Sequence, residues 1–167
     1  MPDADYALEK WVWSEDDFEH MGWHDALVHA FAFEPEQWEF VLDLDYILRW
    51  VDPAPGTSGY RFWSAPATLV FADVADLRIE FEPGPGFELA DIFRSDPREP
   101  DLGPDSPSSM HWLWTLAFHN GRVSFRSPGF TQWFRRAPTF NSSQSLTREE
   151  RGGLSFHRGR VADASGQ

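Results

Sequence analysis

Two imidazoles and three carboxylates stand close together in one early stretch: His24, Asp25, His29, Asp43 and Asp45. These are the side chains that bind zinc, manganese or iron, and a carboxylate beside an imidazole is also the pairing a general base uses. Asp43 and Asp45 are two residues apart, so on a strand they share one face. His24 and His29 are five apart and would point to opposite faces. His24, Asp43 and Asp45 are therefore the candidate metal ligands, and a divalent metal is the cofactor they would take. Outside that set, no cofactor is expected.

Whether an imidazole meets the aspartates depends on strand register. If residues of like parity pair, His29 lies across from Asp43. If unlike parity pairs, His24 joins the aspartate face and His29 enters the core. The second register is favoured. It gathers Leu27, Phe31, Phe33, Phe40, Leu42, Leu44 and Tyr46 on one apolar face and leaves Ala26, Ala30, Asp43 and Asp45 on the other.

A second constellation is aromatic and basic. Trp112 and Trp114 share a strand face that could stack a sugar ring or a base, and Trp133 precedes Phe134, Arg135 and Arg136. Trp112, Trp114, Trp133, Arg135 and Arg136 are the candidate ligand-facing or partner-facing patch. His111 and His119, eight apart, share a face at too great a distance to chelate one ion and read as rim histidines; His20 reads as a helix-end residue. The chain has no His-Glu-x-x-His, nucleophile-elbow, phosphate-loop or dinucleotide motif. The absence of cysteine excludes disulfides and thiolate chemistry, and the Asn141-Ser142-Ser143 sequon reads as chance.

The elements that must position these groups are strands. Leu27, Phe31 and Phe33 alternate on one parity and Phe40 to Leu48 on the other, with Glu34-Pro35-Glu36 between them, which predicts a long hairpin. Tyr60–Trp63, Thr68–Phe71, Leu77–Phe81 and Glu88–Arg94 predict further strands. Trp112 to Phe118, Asn120-Gly121 and Val123 to Phe125 predict a tight hairpin, and Phe130–Phe134 a last strand. Ser14-Glu15-Asp16-Asp17 predicts a capped helix ending at Gly22, and a second short helix runs from Thr147 to Gly152-Gly153. The expected fold is mainly β, an antiparallel sandwich or strongly curved sheet with a short helix near each end; an open barrel is the alternative. At 167 residues one domain is expected, with a mobile Pro-rich loop over 95–109 and a frayed tail over 158–167.

Several strings resemble a family of uncharacterised β-rich bacterial cytoplasmic proteins. They are Met21-Gly22-Trp23-His24-Asp25 with His29, Leu42-Asp43-Leu44-Asp45-Tyr46-Ile47, Phe62 through Phe71, Gly129-Phe130-Thr131-Gln132, and Arg151-Gly152-Gly153-Leu154-Ser155-Phe156. That likeness covers most of residues 12–156. A looser likeness to toxin-neutralising immunity proteins covers little more than the first hairpin. Neither implies a catalytic residue.

Charge is unevenly spread. Residues 1–105 hold 24 acids and 6 bases, and residues 106–167 hold 3 acids and 8 bases, within a net charge of -13. The halves either neutralise one another across the fold or leave an acidic face that draws a basic partner. Nucleic acid and membrane are not expected partners. Acids at the N-terminus and the lack of a spanning apolar run predict a cytoplasmic location. The expected function is a non-enzymatic acidic protein-interaction module for a basic protein, such as an immunity-type neutraliser. The alternatives are a metal-assisted hydrolase or lyase on the first hairpin and a carbohydrate or small-ligand binder. Exposed aromatic edges would also allow a homodimer.

Overall fold

Strands with alternating apolar residues bury one face and need another layer to cover it, and here the chain supplies that layer by bending its own sheet. The computed structural model describes residues 6–99 and 110–162. Among these, ten strands form one antiparallel sheet: β1 (Val12–Ser14), β2 (Leu27–Glu34), β3 (Glu39–Val51), β4 (Arg61–Phe71), β5 (Ala75–Phe81), β6 (Phe87–Arg98), β7 (His111–Phe118), β8 (Gly121–Ser127), β9 (Phe130–Phe134) and β10 (Thr139–Asn141). The strand order is β1-β9-β4-β3-β2-β6-β7-β8-β5, with β10 added beside β4. The sheet curves strongly without closing, as the alternation predicts.

Only Leu27↔Glu88 and Val28↔Phe87 join β2 to β6, so a narrow seam links two halves that fold over each other. Phe40 and Phe71 of one half meet Phe125 of the other at ring distances of 5.4 and 4.8 Å, and Phe71 meets Trp114 at 5.2 Å. Trp23 closes this core, donating its indole N–H to Gln132 Oε1 at 2.9 Å. A buried indole needs such an acceptor, because an unpaired N–H in an apolar interior is costly.

β4 is one strand where the sequence suggests two. Pro66 interrupts the apolar pattern but not the strand, because it sits where the neighbour of β4 changes: Ser64 pairs with β10 and Ala67 with β9. The missing proline N–H falls in that gap, and the Pro66 carbonyl accepts from Arg135 N–H at 2.9 Å. The first helix is a 3-10 turn over Glu15–His20, with Asp17 accepting from the Ser14 N–H at 2.9 Å. It ends in an extended Met21, so Gly22 does not act as a left-handed cap; its N–H is held by the Tyr46 hydroxyl at 3.0 Å. The second helix, α1 (Arg148–Arg151), starts on Thr147 and ends on a left-handed Gly152 as expected.

The β7–β8 hairpin stands in place, but its turn is His119-Asn120 and Gly121 already opens β8, opposite Phe118. Glycine is required there by packing, since a Cβ would lie 2.1 Å from the Glu80 carbonyl of β5. The expected loop over 95–109 begins later, because Ser95–Arg98 continue β6; residues 100–109 lie outside the described part. The start of the expected frayed tail is tied down. Arg158 pairs with Glu39, Arg160 lies 4.4 Å over the Trp11 ring, and Val161 N–H reaches the Arg135 carbonyl at 2.8 Å.

Candidate functional site

The β2–β3 register is of unlike parity over most of its length, with Phe33↔Phe40, Phe31↔Leu42 and Ala30↔Asp43 in line. Between Val28 and Ala30 the register slips by one at a bulge, giving Val28↔Leu44 and Leu27↔Asp45. A bulge places two residues against one and inverts the faces beyond it. Val28 therefore enters the core in place of Leu27, and His29 turns away from the core to the aspartate face. His29 Nε2 lies 2.7 Å from Asp45 Oδ2.

That face is not open to water. The segment from Gln144 to Arg158 lies across it, and Asp43 and Asp45 have 0 % exposure. Asp43 Oδ1 accepts from Arg135 Nη2 at 2.6 Å and Arg151 Nη2 at 2.5 Å, while Oδ2 accepts from Arg151 Nη1 at 3.1 Å and Ser155 N–H at 3.0 Å. Asp45 Oδ1 accepts from Arg151 Nε at 3.1 Å, and Oδ2 from Leu146 N–H at 2.9 Å besides meeting His29. Arg135 also donates to Thr68 Oγ1 at 2.9 Å, and that hydroxyl donates to the His157 carbonyl at 2.7 Å. Burial alone would raise the Asp43 pKa; the Arg151 hydrogen bonds, the Ser155 N–H and the Arg135 charge outweigh it and hold the carboxyl below its ordinary value.

Two carboxylates and two guanidinium groups make a neutral, hydrogen-bonded cluster that survives burial because each ion has a partner. The cluster fastens the C-terminal segment to the first hairpin. The candidate ligands Asp43 and Asp45 lie in this cluster with all four carboxylate oxygens engaged by partners from the chain itself.

His24 lies apart from that cluster. It stands in the turn before β2, with Nδ1 2.9 Å from Asp25 Oδ1 and its ring 6.1 Å from Trp50. Among the described residues, the grouping of His, Asp and Glu ligand atoms within 4.8 Å of one another is Asp25, Glu88 and His119. Backbone bonds assemble it: Asp25 N–H to Leu89 O, Leu89 N–H to Ala26 O, and His119 N–H to Glu88 O, at 2.8, 2.9 and 3.0 Å. Sequence reasoning kept His119 at the rim and did not connect it with Asp25, because three separate chain segments supply the group.

The proposed aromatic and basic patch is dispersed. Trp114 and Arg135 are buried, in the core and in the ion cluster respectively. Trp112 is half-buried with the Arg94 guanidinium 4.4 Å over its ring, and Trp133 is half-buried with Arg158 at 5.8 Å. Arg136 donates to the Glu149 and Glu150 carbonyls at the end of α1.

Among the described residues the most exposed tryptophan is Trp38, at 61 %. It occupies the β2–β3 turn with φ 56°, a conformation that a bulky side chain rarely adopts. The turn is held by Glu34, whose carboxylate accepts from the Glu36 and Gln37 N–H groups at 3.1 and 2.6 Å, and by Val74 N–H, which reaches the Trp38 carbonyl at 2.8 Å. Trp38 meets the exposed Phe33 edge-on at 6.3 Å, and the exposed Glu36 stands two residues before it in the same turn. An acidic turn containing tryptophan was visible in the sequence, but its outward presentation was not.

The chain matches no protein-family model, no curated protein and no solved structure. No helix among the described residues is long and apolar enough to cross a membrane.

Proposed function

We propose that this protein is a non-enzymatic acidic interaction module that binds a basic protein, with neutralisation of a toxin domain as the specific form of that role. The observation that carries this reading is the β2–β3 turn. It holds an exposed Trp38 at φ 56° against Phe33, in a turn that also carries the exposed Glu36. Left-handed tryptophan is strained, and strain that a surrounding structure maintains marks a place where geometry serves something other than stability. An exposed tryptophan packed on a second exposed aromatic supplies the kind of anchor that dominates binding hot spots.

Charge supports the same reading. Of the eight arginines in residues 106–167, five pair with acids of the first 105 residues: Arg122 with Glu80, Arg126 with Asp96, Arg135 and Arg151 with Asp43, and Arg158 with Glu39. Arg135 and Arg151 are paired inside the fold and Arg122, Arg126 and Arg158 nearer its surface, and the net charge of -13 remains as surplus carboxylate. Such a surface speeds association with a cationic partner and makes it salt-sensitive.

The test is affinity capture from an extract of the protein's own cell, with the retained species identified by mass spectrometry. One basic protein should be held at low salt and released as salt rises. Trp38→Asn, which keeps the left-handed turn, and Glu36→Lys should each abolish retention without lowering the melting temperature. Retention of no basic protein, or retention indifferent to both substitutions, overturns the proposal.

A further inference from the structure

We propose that Asp25, Glu88 and His119 bind one divalent cation of the zinc class. The site is built where the turn before β2, the start of β6 and the β7–β8 turn converge, and it does not depend on the partner reading above.

The distances carry the argument. His119 Nε2 lies 3.3 Å from Glu88 Oε1 and 3.5 Å from Asp25 Oδ1. A charge-assisted hydrogen bond between imidazolium and carboxylate closes to about 2.7–2.9 Å. Donors bound at about 2.0–2.1 Å around a tetrahedral ion stand about 3.3 Å apart. The separations therefore match shared coordination better than direct pairing. The two carboxylates also bring oxygen atoms within 4.8 Å of each other, an arrangement that repels unless a cation or imidazolium lies between them.

The donor chemistry selects the metal class. An imidazole nitrogen with two carboxylates suits zinc and its first-row neighbours, whereas magnesium prefers an octahedral oxygen shell that keeps its waters. Asp25 is prepared as a ligand: its backbone is left-handed at φ 63°, and Gln144 Nε2 donates to its other oxygen, Oδ2, at 3.1 Å. That outer hydrogen bond orients the carboxylate, as supporting shells do in metal sites, with Oδ1 facing His119 Nε2 at 3.5 Å. His24 Nδ1 lies 2.9 Å from the same Oδ1 as a direct partner of Asp25, and His24 stands outside the three-residue group.

The experiment uses the full chain, stripped with chelator and titrated with zinc chloride by calorimetry, with native mass spectrometry for stoichiometry. One zinc per chain is expected, and magnesium chloride should give no heat. The double variant Glu88→Gln with His119→Ala should lose stoichiometric binding. Gln144→Ala should weaken it about tenfold. His111→Ala, at the opposite end of β7, should leave it unchanged. As a check that needs no variant, the His119 ring resonances should shift on addition of one equivalent of zinc. Absence of stoichiometric zinc, undiminished binding in the double variant, or unmoved His119 resonances each overturn the proposal.

Discussion

Arg151 and Asp43, 108 residues apart, face each other as a two-pronged ion pair, with Nη2 2.5 Å from Oδ1 and Nη1 3.1 Å from Oδ2, both residues buried. The fold of the first hairpin and the path of the last described segment are thereby one problem. The outer face of β3 carries carboxylates because an arginine arrives from the end of the chain to meet them.

Removing that arginine is expected to be severe. Arg151→Leu leaves Asp43 and Asp45 buried with one guanidinium between them, and losing one partner of a buried pair costs about 3–5 kcal/mol. Urea unfolding followed by fluorescence should show a lower midpoint with little change in slope. Arg136→Ala, which removes bonds to two partly exposed carbonyls, should cost about 1 kcal/mol.

The same cluster predicts an acid limb. The folded-state pKa of Asp43 is depressed, so as pH falls the unfolded chain takes up the proton first. Its contribution is present above the unfolded value of about 4 and is lost as pH falls through the lower folded value. Stability measured from pH 7 downward should decline below about 4, and Asp43→Asn should flatten that decline.

Tyr46 predicts an alkaline limb of opposite origin. Burial pushes its hydroxyl up to about 12, so above pH 10 the unfolded chain ionises while the folded one keeps its proton. The contribution is intact below about 10 and lost as pH rises through the folded value, a change of about 2–3 kcal/mol at about 1.4 kcal/mol per unit. Tyr46→Phe should remove this part of the alkaline loss. A stability curve identical to that of the unmodified chain between pH 10 and 12 would contradict it.

Gly121→Ala tests the close approach of β5. The added Cβ would meet the Glu80 carbonyl at 2.1 Å and Phe81 Cα at 2.8 Å, both backbone atoms with nowhere to move. Overpacking of this kind costs about 1–3 kcal/mol. Hydrogen exchange should show β5 amides losing protection while the β7–β8 hairpin keeps its own.

The fold was largely legible because its signals are local. Phe31, Phe33, Phe40 and Leu42 announced the hairpin and its main register, and Thr147 with Gly152 announced both ends of α1. The bulge at His29 left no such mark, since a single inserted residue in an aromatic and aliphatic run preserves composition while inverting every face beyond it. Gly22 misled for a related reason: its neighbour Met21 ends the turn in extended geometry, and the Tyr46 hydroxyl holds it there.

The candidate sites were less legible. Asp43 and Asp45 were placed on one face correctly, but their partners Arg135, Arg151, Ser155 and Leu146 lie far along the chain. Trp112 and Trp114 share a face whose depth varies along the strand, so one is wholly buried and the other only partly.

Alternation of apolar residues, turn chemistry and helix caps act over a few neighbouring residues, and from them the sequence by itself determined a β-rich chain with an amphipathic first hairpin. Which carboxylates are neutralised inside and which face water was decided only by the tertiary structure. The energy of a charge depends on the solvent and counter-charges within a few ångströms, and here those were supplied by segments about a hundred residues away.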